Sequence, residues 1–590
     1  MSGIAGGTVD ASVLQEMLDH VSSGDEEHWR CELNGAGLGI SAHRTDTPSV
    51  TTWDDGARAG VVYGAVTNLN EHELSTVDLF SRILERPVET AAELEGDFLI
   101  AAVDSHEDRQ LLVQNKLGAR PCYYTEEEPF RYATSLDPLL AGIENPRLNE
   151  QAASDMLLMG HMWGDKTLLA DVRMLRPATV LEAVDGSLST TRYWTPSYDE
   201  MDPGDEYLTE LVNRYRTAIR RMQSTVDDEV GIWLSGGLDS RTTAAAFNQE
   251  RSEDRPAELR AFTYDANPPT SDNPKIAAQV ARALEIGLEY VPLTADLFGR
   301  HFEDVIDATD GMIRWNTCVN LAASYGMRNP SPVMMEGMQG ELVGDHLLRP
   351  HLTDVSSVVE SQYRSEAAQD ADLVESLLTK DVDPMDTYRN ESKASPMSGG
   401  REQILDIHFQ NYYSRKTLAS NTIMRTHLST RSPQVDGDYL EWCSRLPLKY
   451  RKGAFPYFDM EIPYETTLAK LELIRRIDPT LSRITYERTK MKPSWPYRLH
   501  IAGFISNVAL GRLRNLPTYG SGQLTDFWIR DQETEVHDRV RELVDGARER
   551  DLFDGDVVHD LYSEHLSGSN NGGILAQITT LEYWLQTRLD

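Results

Sequence analysis

Glu229-Val230-Gly231-Ile232-Trp233-Leu234-Ser235-Gly236-Gly237-Leu238-Asp239-Ser240-Arg241-Thr242-Thr243-Ala244-Ala245-Ala246-Phe247 is an apolar run, a glycine loop and a helix-forming run in immediate succession. The first six residues read as a buried strand, because apolar residues continue without the polar alternation of a half-buried one. The two glycines let the backbone approach an anion closely, and the following helix offers it free N–H groups, with the hydroxyls of Ser235 and Ser240 as further donors. The segment therefore reads as a phosphate cradle. Asp239 would be repelled by bare phosphate, so its natural role is to hold a magnesium ion bridging a polyphosphate. The loop lacks the Gly-Lys-Ser/Thr ending of a Walker loop, which argues against kinase or GTPase chemistry.

Working outward, Leu208, Leu211, Val212, Tyr215, Ala218 and Ile219 recur at helical spacing before the strand, and Arg260-Ala261-Phe262-Thr263-Tyr264 and Pro332-Val333-Met334-Met335 are further buried strands. Alternation of strands and helices predicts a doubly wound parallel sheet. From about Arg349 the chain reads as mainly helical. Before the loop, Gly37 to Ile40, Gly60 to Gly64 and Asp97 to Val103 are short apolar strands broken by turn residues, which predicts a sheet-dominated α+β domain. The polar stretch Thr195 to Asp205, with two prolines, has linker chemistry. The expected division is 1–194, a linker over 195–206, and 207–590.

At 590 residues the chain is too long for one core. No run reaches the roughly 18 apolar residues needed to cross a bilayer, and no signal peptide is evident, so a cytoplasmic protein is expected. Cys31, Cys122, Cys318 and Cys443 form no CxxC pair and are expected to be reduced. A net charge of -37 disfavours nucleic acid as a partner, and acidic residues spread along the chain suggest a surface built for high salt and a halophilic source. His346 and His351 lack an HExxH pattern and are read as non-metal residues. Tyr412, Tyr413, Arg415 and Lys416 are read as a solvated helical face, and Asp551 to Asp556 as a helix-initiating turn rather than a calcium loop.

The loop resembles the SGGxDS loop of enzymes that split ATP between the α and β phosphates, and its surroundings resemble the asparagine synthetase superfamily. Met1-Ser2-Gly3-Ile4-Ala5-Gly6 is similar to the family's N-terminal nucleophile start, with serine where the family has cysteine. Leu94 to Phe98, Leu117 to Tyr124 and Tyr132 to Ser135 look like glutaminase-domain signatures, and Ser271-Asp272-Asn273 lies where the family has an acidic pair. Glu336 to Gly344 resembles the Ser-Gly-Glu-Gly and Asp-Glu-Leu-Phe-Gly loops; Arg431 to Asp436 resembles an Arg-x-Pro-Phe-Leu-Asp segment; Arg488-Thr489-Lys490 resembles a late Arg-x-Lys; and Leu581 to Trp584 is a typical close.

The resemblance implies an N-terminal nucleophile-type sandwich, a class II glutamine amidotransferase-like domain, followed by an ATP-pyrophosphatase-type domain. It implies an AMP- and pyrophosphate-forming carboxylate-amine ligase, most simply of asparagine biosynthesis, using ATP and Mg2+. Leu234, Ser235, Gly236, Gly237, Asp239, Ser240, Thr263 and Gly337 would hold ATP and pyrophosphate; Asp239 and Glu341 the metal; Lys490 would stabilise the adenylate; and Arg431 would meet substrate. The expected partners are a small-molecule carboxylate and ammonia or a substrate amine, with neither nucleic acid nor membrane, in a chain that could pair as a homodimer.

The chain also departs from the family. Ser2 replaces the cysteine, Tyr63-Gly64-Ala65 aligns with the Asn-Gly-Glu turn of the oxyanion hole, and Gln114-Asn115 replaces an Arg-Asp pair. Loss of nucleophile and oxyanion donor together predicts little or no glutaminase activity. Counting back from Glu341 without gaps puts Gly337 at the glutamate of Ser-Gly-Glu-Gly and Gly340 at the following aspartate, and Ser429 stands where many members carry an acid. Missing carboxylates leave the attacking amine without an evident proton acceptor. Other readings stay open: an amide-forming enzyme on a different substrate, as in β-lactam synthetases and lasso-peptide cyclases, or a non-catalytic ATP-binding regulatory homologue.

Overall fold

The computed structural model describes the chain apart from residues 1, 22–25, 44–45, 47–48, 227, 253–256, 267–271, 354, 458–459, 465 and 514–523, and apart from the side chains of 26–27, 456–457, 460–462 and 511–513. Met1 and Ser271 therefore lie outside the described residues.

Twelve strands form the N-terminal part: β1 (Gly3–Gly7), β2 (Glu26–Leu33), β3 (Ala36–His43), β4 (Val50–Asp54), β5 (Arg58–Val66), β6 (Gly96–Asp104), β7 (Arg109–Gln114), β8 (Tyr123–Thr125), β9 (Arg131–Ala133), β10 (Val172–Met174), β11 (Thr179–Val184) and β12 (Ser187–Arg192). They make two six-stranded sheets, in the orders β10-β8-β9-β1-β3-β2 and β12-β11-β7-β6-β5-β4. Strand β6 shows why the layers stack as they do. Its period-2 alternation sends Leu99, Ala101 and Val103 into a core shared with Ile4, Leu38 and Ile40 of the other sheet, and sends Phe98, Ile100 and Ala102 outward onto Leu79, Phe80 and Ile83 of the helix Thr76–Glu85. Ala5, beside Ile4 on β1, faces the opposite way and meets Leu14 and Leu18 of the helix Ala11–Val21. The result is four layers: helix, sheet, sheet, helix.

The second part is built on five parallel strands, β13 (Val230–Trp233), β14 (Leu259–Thr263), β15 (Gly287–Tyr290), β16 (Val333–Met335) and β17 (Ser429–Arg431), in the order β15-β14-β13-β16-β17. Strand order runs one way from β13 to β15 and then reverses through β16, so a crevice opens past the carboxyl ends of β13 and β16, the usual ligand position in such sheets. The helix Asp239–Glu250 follows the glycine loop directly, as its run of Thr and Ala predicts. Beyond β16 the chain is mainly helical, as read, with β17 and a hairpin of Ala454–Tyr457 and Met460–Pro463 as exceptions.

The stretch 195–204 has no regular structure but is packed: Tyr198 is buried with its hydroxyl 3.2 Å from Asp406, and the Ser197 N–H donates to Glu441. Buried polar bonds join the two parts. Arg431 donates to Ser49 at 2.9 Å, Ser429 to Asp46 at 2.9 Å, and Arg192 meets Asp406 at 2.7 Å. The Gly437 N–H donates to Glu95, which also pairs with Lys116.

Two expectations fail here. The stretch with Tyr412, Tyr413 and Arg415 is no solvated face; it is a π-helical segment, Phe409–Leu418, with those three residues buried. Arg431 does not meet the crevice: its fully buried guanidinium is spent on Thr225, Ser49 and Ser429, because β17 lies at the sheet edge where the N-terminal part docks. Asp551 to Asp556 reads correctly, since Asp554 caps the helix Gly555–Leu566 by accepting from Asp556 and Val557 N–H. The cysteines are unpaired, and among the described residues no helix is long and apolar enough to cross a membrane.

Candidate active site

A cavity of about 1370 Å³ occupies the crevice at the β13 and β16 ends. Leu234, Ser235, Gly237, Asp239, Ser240, Thr263, Gly337, Glu341 and Lys490 all line it. Gly236 is absent from the lining. Its N–H is taken by Asn273 at 2.5 Å and its carbonyl by the Glu487 N–H at 3.2 Å, so it braces the loop from behind.

The loop is held by its own hydroxyls. The Ser235 N–H donates to Ser240 Oγ at 3.1 Å, and the Gly237 N–H donates to Ser235 Oγ at 3.1 Å. A Cβ at Gly337 would lie 2.9 Å from the Ser240 Cα, so only glycine lets the segment after β16 lie against the helix start.

Three carboxylates converge beneath the loop. Asp239 Oδ2 lies 2.9 Å from Lys470 Nζ, which also binds Asp345 Oδ2 at 2.7 Å, and Lys452 reaches Asp345 at 3.2 Å. Burial pushes the Asp239 and Glu341 carboxyls above their ordinary values. Burial opposes charge on Asp345 too, but Lys470, Lys452 and Arg488 outweigh it and hold that carboxyl far below the usual range. Asp239 Oδ1 and Glu341 Oε2 are buried without hydrogen-bond partners. Two orphaned carboxylate oxygens facing a phosphate cradle are hard donors suited to a magnesium ion, whose remaining ligands a polyphosphate and water would supply. These carboxylates do not form a ready three-ligand cluster by themselves.

The gapless register is corrected by geometry. Glu336, not a residue at 337, presents a carboxyl to the cavity; it is buried, and its Oε1 has no hydrogen-bond partner. Burial pushes this carboxyl up to about 8, with Asp97 adding to the effect and Arg425 opposing it. The signal was present in sequence: Glu336-Gly337 reads as the Glu-Gly of the family loop once one extra residue is allowed before Glu341. Lys470, Asp345 and Lys452 carried no such signal.

Lys490 is in the left-handed region at φ 56°, uncommon for a residue with a Cβ, and its ammonium lies 3.0 Å from Asp272 Oδ2. Arg314 lines the far side and has no carboxylate within ion-pair distance among the described residues. Its Nε is buried without a partner.

Ser2 lies elsewhere, in the N-terminal part, where it is buried, its Oγ accepting from the His43 N–H at 3.1 Å and its carbonyl from Tyr63 Oη at 3.2 Å. Tyr63 in turn stacks on Arg120, 4.2 Å from the ring centre, and Arg120 pairs with Asp97 at 3.0 Å with both side chains fully buried. A Cβ at Gly64, φ 109°, would sit 2.4 Å from Arg120 Nε, so the glycine is what admits this ion pair. Tyr63 thus links Ser2, through its hydroxyl, to the Arg120–Asp97 pair, through its ring.

Comparison with known proteins gives two family matches, Asparagine synthase over residues 215–454 and Glutamine amidotransferase domain over residues 78–194. Asparagine synthetase [glutamine-hydrolyzing] 3 of Bacillus subtilis (strain 168) is 26% identical over 203 residues, 33% of this chain and 33% of that protein. Asparagine synthetase [glutamine-hydrolyzing] 2 of the same organism is 25% identical over 262 residues, 40% of this chain and 34% of that protein. The matched region thus spans about a third of the length of these curated relatives. A glutamine phosphoribosylpyrophosphate amidotransferase from B. subtilis, solved with ADP and GMP, aligns at a TM-score of 0.26 with 8% identity, covering 49% of this chain and 90% of that one, too weak a likeness to carry an argument. The matches are thus likenesses to asparagine synthase and to a glutamine amidotransferase domain, each over part of the chain.

Proposed function

We propose that the chain activates a carboxylic acid with ATP, releasing pyrophosphate, and passes the acyl group to ammonia or a substrate amine. The observation that carries this reading is the coincidence in one cavity of a glycine loop at a helix start, two orphaned carboxylate oxygens on Asp239 and Glu341, and the orphaned carboxyl of Glu336.

The loop N–H groups and the Ser235 and Ser240 hydroxyls would bind the β and γ phosphates, which leave as pyrophosphate. Asp239 and Glu341 would hold magnesium, which when bound neutralises polyphosphate charge. Lys470 is fixed between Asp239 and Asp345 and keeps the two acids from repelling one another. Lys490, tied to the half-exposed Asp272 at one point, would meet charge developing on the adenylate. In the second step the amine forms its C–N bond to the acyl carbon, AMP leaves with the C–O electron pair, and Glu336 takes the amine proton. Arg314, whose buried Nε has no hydrogen-bond partner and whose nearest opposing charge is Asp526, supports an acid with a further anionic group.

Ammonia or a tethered amine is the expected nitrogen source, because serine stands at the family's cysteine position and Tyr63-Gly64-Ala65 at its Asn-Gly-Glu turn. A second reading, in which the acid is bulkier than aspartate, rests on the departures at Gly340 and Ser429 from the family's acidic positions. Acid-dependent exchange of labelled pyrophosphate into ATP tests the activation step, with Asp239→Ala as control. Exchange with aspartate supports an asparagine-forming enzyme, and exchange with larger acids alone supports the second reading. ATP binding with no exchange for any acid overturns both in favour of a regulatory homologue.

A further inference from the structure

His346, Glu366 and His408 are 20 and 42 residues apart in sequence, a spacing that matches no metal motif. The fold gathers them on one wall. His346 follows the Glu341 loop and lines the cavity, Glu366 ends the helix Val358–Glu366, and His408 ends the helix Gly400–His408. One ligand atom from each lies within 4.8 Å of the other two, the sole such cluster among the described residues.

The separations decide between an ordinary hydrogen-bonded cluster and a coordination site. His346 Nε2 is 2.9 Å from Glu366 Oε2, a distance either reading allows. His408 Nδ1 is 3.5 Å from Glu366 Oε1; this buried nitrogen has no hydrogen-bond partner. Ligands at about 2.1 Å from one ion stand roughly 3.0 Å apart in octahedral and roughly 3.4 Å apart in tetrahedral geometry, each within about 0.1 Å of one of the two separations. The imidazole planes differ by 12° and their centres lie 5.3 Å apart. Tyr412, stacked on His346 with centres 3.6 Å apart, holds that ring in place.

We propose that His346, Glu366 and His408 form a binding site for a divalent transition-metal ion of the zinc class, with its open position facing the cavity. Two imidazoles and a carboxylate are the donor set of zinc sites that keep one position free for water or substrate. The carboxylate offsets part of the ion's charge inside the protein, and Glu341 adds to the local negative field, while Arg314 and Lys416 oppose it. Burial pushes Lys416 down to about 8, which reduces that opposition in mildly alkaline solution. The reading departs from the sequence expectation for His346, since the other two ligands come from distant helices and not from a local motif. It is independent of which acid the enzyme activates.

The test uses the full chain, stripped with a chelator and titrated with Zn2+ alone, and separately with Co2+ for its visible absorption. The expected result is one tightly bound ion per chain and a four-coordinate Co2+ spectrum, with at least 100-fold weaker binding in His408→Ala and in Glu366→Gln. His346→Gln, at a cavity-facing position, serves as the variant least prone to disturb folding, and circular dichroism with thermal melting confirms the fold of each. Failure of the wild-type chain to bind stoichiometrically, or equal binding by folded His346→Gln, His408→Ala and Glu366→Gln variants, overturns the proposal and leaves a Glu366-centred ion-pair cluster.

Discussion

The ammonium of Lys470 bridges Asp239 and Asp345 at 2.9 and 2.7 Å, so a lysine from a late helix, Leu468–Ile477, neutralises the acid that opens the phosphate-loop helix. Removing the cation leaves two largely buried carboxylates facing each other. Lys470→Met should therefore lower stability by on the order of 3 kcal/mol, read from urea unfolding. Asp239→Asn should cost much less, because Lys470 keeps Asp345, yet should abolish pyrophosphate release. Equal destabilisation by the two changes would remove Lys470 from this role.

Glu336 gives the amide-forming step a distinct pH dependence. Its carboxyl is pushed up to about 8 by burial, so the proton-accepting form is scarce at pH 6 and grows as pH rises through that value. The rate of amide formation should climb across this range, and Glu336→Gln should lose about 100-fold or more of it while keeping acid-dependent pyrophosphate exchange. An unchanged profile in the variant would assign the proton transfer elsewhere.

Glutamine should not replace ammonia. Ser2 Oγ accepts a backbone hydrogen bond from His43, its carbonyl accepts one from Tyr63, and Tyr63-Gly64-Ala65 stands where the family has its oxyanion-hole turn. Incubation with glutamine, with and without ATP, should release no glutamate above the uncatalysed rate. Release at ordinary enzyme turnover would show that Ser2 acts as a nucleophile.

Three buried histidines should weaken the fold on mild acidification. Burial pushes His351, His427 and His500 down to about 4, so between that value and their unfolded value of 6.5 the unfolded chain binds protons that the folded chain refuses. These groups contribute stability above pH 6.5 that is lost as pH drops towards 4. Glu336 and Asp310, raised to about 8 and about 7 by burial, act in the opposite sense, and their contribution is lost as pH rises through those values. Since the two sets oppose one another over pH 4.5 to 6.5, the histidine share is read from variants: His427→Asn and His500→Asn should each lose less melting temperature on acidification than the parent chain, and an unchanged acid-side slope would contradict the histidine assignment.

Much of the fold was legible because its signals are local. Strand β13, the glycine loop and the Thr and Ala helix sit within 19 consecutive residues, and period-2 alternation marks β6. The cavity-lining loop residues followed from the same stretch. What escaped depends on long-range packing. Lys470 reaches Asp239 across 231 positions, as the two residue numbers give by difference, and no pattern near either predicts the pair. Arg431 sits in a recognisable segment, yet its guanidinium turns to Ser49 of the other part. Tyr412 belongs to a π-helical stretch whose 3.6-residue reading placed it on a polar face. Glu336 was missed through one residue of register, which only the cavity wall resolves.

The central claim, cleavage of ATP between its α and β phosphates driven by a carboxylic acid, is tested most directly by phosphorus NMR of the products. With ATP, magnesium, ammonium and a panel of carboxylic acids, the expected products are AMP and pyrophosphate in equal amounts, dependent on the acid and absent in Asp239→Ala. Formation of ADP and inorganic phosphate instead, or cleavage indifferent to the acid, would contradict it.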